Sequence, residues 1–206
     1  MSVPLLLASR SPRRIQMLRE AGFDPMVVPA GIEDSLFRID HHVDSVPSLV
    51  ISLAYFKAMQ VIDGRDSLED QPVILAADTV CSIDRTVIGK PACRQAAQEM
   101  IESFMERTHQ VVTGVCILDR RTRQRHLFHD QADVHLGRID DDVLEQYLDQ
   151  EHWRGKAGAY NYSDRVDAGW PLSCDGDPTT VMGLPMVRLV PMLSHRAVAR
   201  PGEPSC

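Results

Sequence analysis

Near the N-terminus the residues from Val3 to Ala8 run apolar without a break, and the pattern then changes abruptly at Ser9. A short run with no polar alternation predicts a strand buried on both faces. Ser11 and Pro12 follow, a helix-capping residue and one suited to the first helical turn, so Pro12 to Ala21 is predicted as a helix that Gly22 ends. The chain thus opens as strand, tight loop and helix N-terminus.

Further along, Phe23 to Pro29 reads as a second strand leading into the acidic turn Gly31-Ile32-Glu33-Asp34-Ser35. Val50, Leu53, Ala54, Ala58 and Val61 recur at helical spacing, which predicts a helix over 47–62 with Lys57 on or beside its apolar stripe. A buried strand is expected at Val73 to Ala77, ending at Asp78-Thr79, with a second short strand at Val80 to Ile83 that turns towards Gly89-Lys90-Pro91. A helix over 94–107, a strand over 110–118, a return strand over 124–136, a helix capped by Asp140 and a last helix begun by Pro185 and bent by Pro191 complete the reading. Early strands alternate with helices and the middle is hairpin-like, so the expected fold is α/β or α+β around a mixed sheet.

With 206 residues, 44% hydrophobic and 25% charged, the chain is expected to form one soluble domain over 1–195, followed by a flexible tail over 196–206. The net charge of −7 argues against nucleic acid as a partner, because gripping a phosphate backbone needs a surplus of Lys and Arg on one face. A small anion can still be held where a few cations converge. The five cysteines are scattered and lack metal-ligand spacing, so they read as reduced thiols. No basic region precedes the opening apolar run, and no stretch approaches the roughly 18 apolar residues of a membrane span. No membrane partner is expected, and the expected compartment is the cytoplasm.

Several short segments carry potential chemistry. Ser11-Pro12-Arg13-Arg14 joins a helix N-terminus to a hydroxyl and two guanidinium groups, a natural anion site, although a capped helix with two solvated arginines has the same sequence. At the expected strand end, Asp78 suits a metal ligand or a proton acceptor, and Asp-Thr is also ordinary turn chemistry. Lys90 between Gly89 and Pro91, and Lys156 in Gly155-Lys156-Ala157-Gly158, read by themselves as turns; neither fits the phosphate-loop pattern. Lys57 is equally consistent with a lysine snorkelling from an apolar face. Glu33 and Asp34 are adjacent, so on a strand only one of them would face a site. Asp140-Asp141-Asp142 reads as capping and solvated surface, and His41, His42, His126 and His129 as surface or core residues.

Taken in order, the segments LASRSPRR, the acidic turn, LAYFKA, AADTV, IGKP, TGV, GKAGAY and GLP resemble the Maf family of nucleotide pyrophosphatases, from about Leu5 to Leu193. The resemblance implies an elongated mixed sheet flanked by helices, two lobes with a cleft between them, related to the inosine triphosphate pyrophosphatase fold. It further implies a homodimer that uses Mg²⁺ or Mn²⁺ to cut a nucleoside triphosphate into its monophosphate and pyrophosphate. By motif, Asp78 matches the general base, Ser11, Arg14, Lys57 and Lys90 match phosphate and substrate contacts, and Arg13 and Thr79 fall at positions linked to substrate choice. Asp34 would join Asp78 at the metal.

Two positions depart from the family pattern. The acidic turn reads Glu33-Asp34 rather than Asp-Glu, which places a carboxylate one methylene shorter at the functional position. Ser163 replaces a Gln that helps set base preference, and a single hydroxyl directs fewer hydrogen bonds than an amide. Arg13 and Thr79 match the branch acting on dTTP and UTP, so a pyrimidine triphosphate is the first expectation. A 7-methyl-GTP-preferring enzyme and a catalytically weak nucleotide-binding protein with a role in cell division are the alternatives.

Overall fold

The computed structural model describes residues 4–30, 41–63 and 73–195. The acidic turn with Glu33 and Asp34 and the expected tail over 196–206 lie outside these residues. The strands are β1 (Leu5–Leu7), β2 (Met26–Val27), β3 (His41–His42), β4 (Val73–Ile83), β5 (Thr86–Ile88), β6 (Arg107–Asp119), β7 (Arg125–Leu136) and β8 (Leu172–Asp175). The helices are α1 (Pro12–Glu20), α2 (Val46–Asp63), α3 (Arg94–Phe104), α4 (Asp141–Asp149), α5 (Tyr162–Asp167), α6 (Pro178–Val181) and α7 (Met186–His195).

All eight strands join one mixed sheet in the order β2-β1-β4-β6-β7-β8, with β5 also on β4 and β3 on β5. β1 runs parallel to β2 and β4, whereas β4, β6, β7 and β8 are antiparallel neighbours. The architecture is therefore the expected mixed α/β one.

One expectation is corrected here. Asp78 and Thr79 do not end a strand: β4 runs through them for 11 residues, with Asp78 opposite Gly114 and Thr79 opposite Thr113. The long apolar run of β6 offers an unbroken ladder, and that pairing carries β4 past two polar residues that would otherwise form a turn. The short elements α5, β8 and α6 were not expected from the sequence. Each is brief, and α6 exists chiefly because Asp177 caps it and Pro178 opens it. Asp140 does precede α4, without a side-chain capping bond, and Pro191 lies inside α7.

Apolar packing divides along the two long strands. Near one end of β4, Leu75 and Ala77 pack with α1 and α7, while Ile74 and Ala76 pack with α2. Beyond Thr79, Cys81 packs with α3, α4 and the residues around Ala159, and Val80 with Val50 of α2 and Val112 of β6. The polar residues Asp78, Thr79 and Thr113 occupy the stretch between these cores.

Gly114 explains how α2 is seated. A Cβ there would lie 2.3 Å from the Val50 carbonyl carbon, so only glycine lets the helix backbone come this close to β6. Lys57 follows Val50 by two helical turns on the same face, which carries its side chain to Asp78.

Candidate active site

On the side of β4 away from β6, two described strands leave a gap. β1 pairs with β4 only at Val73 to Leu75, and β5 only at Cys81 to Ile83. Asp78 and Thr79 sit in that interval. The Ala77 carbonyl within it accepts a hydrogen bond from Arg14 Nη1 at 2.8 Å.

A cavity of about 280 Å³ opens at the gap. The expected residues Ser11, Arg13, Arg14, Lys57, Asp78, Thr79 and Lys90, drawn from four separate stretches of chain, all line it. Ser163 does not. It sits on α5 with its hydroxyl 3.4 Å from Asp164 Oδ1, while its neighbours Asn161 and Tyr162 form the wall.

Lys57 donates to Asp78 in a short ion pair, with both residues under a tenth exposed. A carboxylate and an ammonium held together at so little exposure need one another, because either alone would carry a large desolvation cost.

Arg14 is just as buried, and its guanidinium is taken up by the scaffold. Nε donates to the Gly183 carbonyl at 2.8 Å, Nη1 to Ala77 O and to Ser9 Oγ, and Nη2 to Thr79 Oγ1 at 2.9 Å. Thr79 in turn lies 2.8 Å from Thr113 Oγ1, which donates to the Thr180 carbonyl. This chain of bonds ties α1, β4, β6 and the 180–183 turn together. Arg14 is therefore first a strut, and Thr79 is a link in the same network. Gly183 completes the fit, since a Cβ there would stand 2.9 Å from Arg14 Nε at a φ of +109°.

Ser11 caps α1, accepting from the Arg14 backbone N–H, so the helix N-terminus opens on the cavity. Arg13 is half-buried, and burial lowers its affinity for its proton while Asp164 partly restores it. Lys90 is exposed on the rim, beside the Gly89 carbonyl that accepts from the Gly158 N–H at 3.1 Å.

Further polar side chains line the cavity beyond the expected site residues. Lys156, read from the sequence as part of a turn, faces the cavity 3.8 Å from Asp164, and burial lowers its proton affinity. His109 and Tyr160 lie deeper, with Tyr160 Oη 3.0 Å from His109 Nε2. His109 belongs to no short motif, and Tyr160 closes the GKAGAY segment without a role being read for it there. Cys81 also lines the wall, but burial pushes its thiol up to about 12, which makes it a packing residue rather than a nucleophile.

Among the described residues, no three His, Cys, Asp or Glu side chains converge as a protein-built metal cage. The donor set is a buried carboxylate, Asp78, at the edge of a cation-lined cavity. That set fits a hard divalent cation, which takes one or two carboxylates and completes its shell with substrate phosphates and water. No described helix is long and apolar enough to cross a membrane.

Comparison with known proteins gives a coherent result. A family model described as Maf-like protein matches residues 4–196. A dTTP/UTP pyrophosphatase from Rhodopirellula baltica is 37% identical over 191 residues, covering 93% of this chain and 81% of the relative. A protein of the same description from Chelativorans sp. is 34% identical over 199 residues, covering 94% of this chain and 92% of the relative. One from Rhizobium meliloti is 33% identical over 192 residues, covering 92% and 90%.

Proposed function

Since the chain belongs to the Maf-like protein family, we propose that it is a nucleoside triphosphate pyrophosphatase acting first on dTTP and UTP, and releasing the monophosphate and pyrophosphate. The observation that carries this reading is the buried Lys57–Asp78 pair set among Arg13, Lys90 and Lys156 on one cavity, in a chain whose net charge is −7. Cations drawn together against the overall charge suit a compact polyanion. The described names of the relatives support the choice of pyrimidine triphosphates.

In this mechanism a water attacks the α-phosphorus, Asp78 accepts its proton, and the bond to the bridging oxygen breaks so that pyrophosphate departs. Lys57 stands beside the acceptor and stabilises charge growing on the phosphoryl oxygens. Arg13, Lys90, Lys156 and the α1 N-terminus at Ser11 hold the triphosphate, while Arg14 and Thr79 fix the geometry of that end. Asp78 and, from the acidic turn, Asp34 would hold Mg²⁺ or Mn²⁺, whose contribution is to offset triphosphate charge. The enzyme is taken to be a cytoplasmic homodimer.

The test is pyrophosphate release from dTTP, UTP, the purine triphosphates and 7-methyl-GTP with Mg²⁺ or Mn²⁺. The expected result is turnover of dTTP and UTP that falls about 10²- to 10⁴-fold in Asp78→Asn. Near-normal turnover in a folded Asp78→Asn protein would overturn the base assignment. No release from any nucleotide would overturn the activity itself.

A further inference from the structure

The inner wall of the cavity contains a polar pair that the hydrolytic steps leave unused. His109 is 3% exposed, stacks on Phe104 with ring centroids 4.5 Å apart, and has Tyr160 Oη 3.0 Å from its Nε2. Its Nδ1 is buried and has no hydrogen-bond partner among the described residues. Burial holds the imidazole proton affinity down to about 4, so at neutral pH the ring is uncharged and carries one proton.

That proton has two sites. On Nδ1 it would be a buried N–H without an acceptor, an arrangement native structures seldom tolerate. On Nε2 it is donated to Tyr160 Oη, and Nδ1 keeps only a bare lone pair, which costs less. The second tautomer occupies the tyrosine oxygen as an acceptor and leaves its own O–H without an acceptor among the described residues. Tyr160 is 9% exposed and lines the cavity, and burial keeps its phenol protonated.

The place of this donor matters. His109 precedes Thr113 of the Arg14 network by four residues on β6, roughly 13 Å of strand. That is about the distance from the phosphates of a nucleotide to its base. Cys81, Val87 and Val111 make the surrounding wall apolar, which suits a flat base with a few polar atoms at its edge.

We propose that the Tyr160 hydroxyl, held as a donor by His109, makes a hydrogen bond to a carbonyl oxygen of the substrate's nucleobase. Tyr160 is then a specificity-determining residue and His109 a positioning one. The inference rests on the nucleotide reading of the cavity.

It is tested by equilibrium binding, measured by calorimetry in EDTA so that no turnover is required. The ligands are UTP, 2-thio-UTP, 4-thio-UTP and dUTP. Sulfur is a poor acceptor, so the wild-type protein is expected to bind one of the two thio analogues roughly tenfold more weakly than UTP. Tyr160→Phe keeps the ring and is expected to bind UTP roughly tenfold more weakly and to lose that discrimination. His109→Phe keeps the stack on Phe104 and is expected to lose most of the same discrimination.

Wild-type protein that binds both thio analogues as tightly as UTP overturns the proposal without recourse to any variant. So does discrimination that survives in Tyr160→Phe, a uniform loss for all four ligands, or a loss that tracks UTP against dUTP. The parent reading fails separately: the expected binding pattern without pyrophosphate release on adding Mg²⁺ would remove the reaction and leave the base contact standing.

Discussion

Lys57 and Asp78 are each 8% exposed and form an ion pair with one another, so removing either charge unbalances a poorly solvated wall. Lys57→Met and Asp78→Asn are each expected to cost about 3 kcal/mol in urea unfolding, and the double variant clearly less than their sum. All three should release pyrophosphate at least about 10²-fold more slowly than the wild type. Strictly additive losses would show that the two groups do not depend on each other. His109 gives a pH signature at the same scale. Its proton affinity falls from the ordinary 6.5 to about 4 mainly through burial, with Asp133 opposing and His135 adding to the fall. Below pH 6.5 the unfolded chain binds this proton and the folded one does not, so stability is full above 6.5 and is lost as pH falls towards 4. The integrated effect is roughly 3 kcal/mol. Unfolding free energies measured between pH 7 and 4.5 should show this loss in the wild type and a flatter profile in His109→Phe.

Among the elements, α2 and β6 carry the largest geometric constraint. Their contact at Gly114 has no room for a Cβ, which would meet the Val50 backbone at 2.3 Å rather than a side chain able to turn aside. Gly114→Ala should therefore displace α2 and its Lys57, with about 3 kcal/mol lost in stability and turnover lost well beyond what that destabilisation explains. Wild-type kcat in a correctly folded Gly114→Ala protein would show that Lys57 need not be held by this contact. The turn at Gly183 makes a milder case. Its φ of +109° and its closeness to Arg14 Nε mean that an added methyl would push on the strut.

For the molecule as a whole, the decisive feature is that β4 and β6 pass through separate apolar cores and are polar between them. The cavity draws its wall from both sides of that belt, with Ser11 and Met182 near the α1–α7 core and Cys81 and Tyr160 in the α3–α4 core. A ligand that spans the belt binds the folded chain alone. UTP at a hundredfold excess over its Kd in EDTA should add about 2.7 kcal/mol, which raises Tm by roughly 5–10 °C for a domain of this size. Thermal unfolding with and without UTP checks this, and pyrophosphate should appear only when Mg²⁺ or Mn²⁺ is restored. An unchanged Tm would mean that the cavity is not the nucleotide site.

Much of this was legible along the chain because local physics governs it. The apolar run of β1, the Ser-Pro start of α1, the stripe of α2 and the long antiparallel strands all follow from burial period and capping, and the ordered short motifs named Ser11, Arg13, Arg14, Lys57, Asp78, Thr79 and Lys90, which line the cavity. Other features depend on residues far apart in sequence. Asp78 and Thr79 read locally as a turn, and only the ladder with Gly114 and Thr113 keeps them within a strand. Arg14 reads locally either as a phosphate-binding cation or as a solvated one, and only the converging acceptors of Ser9, Ala77, Thr79 and Gly183 make it a buried strut. His109 and Tyr160 are separated by 51 residues and acquire meaning as one donor pair only when β6 and the 155–162 segment meet. Local pattern reports which face of an element is buried; which polar atoms find one another is decided by the packing that closes those faces together.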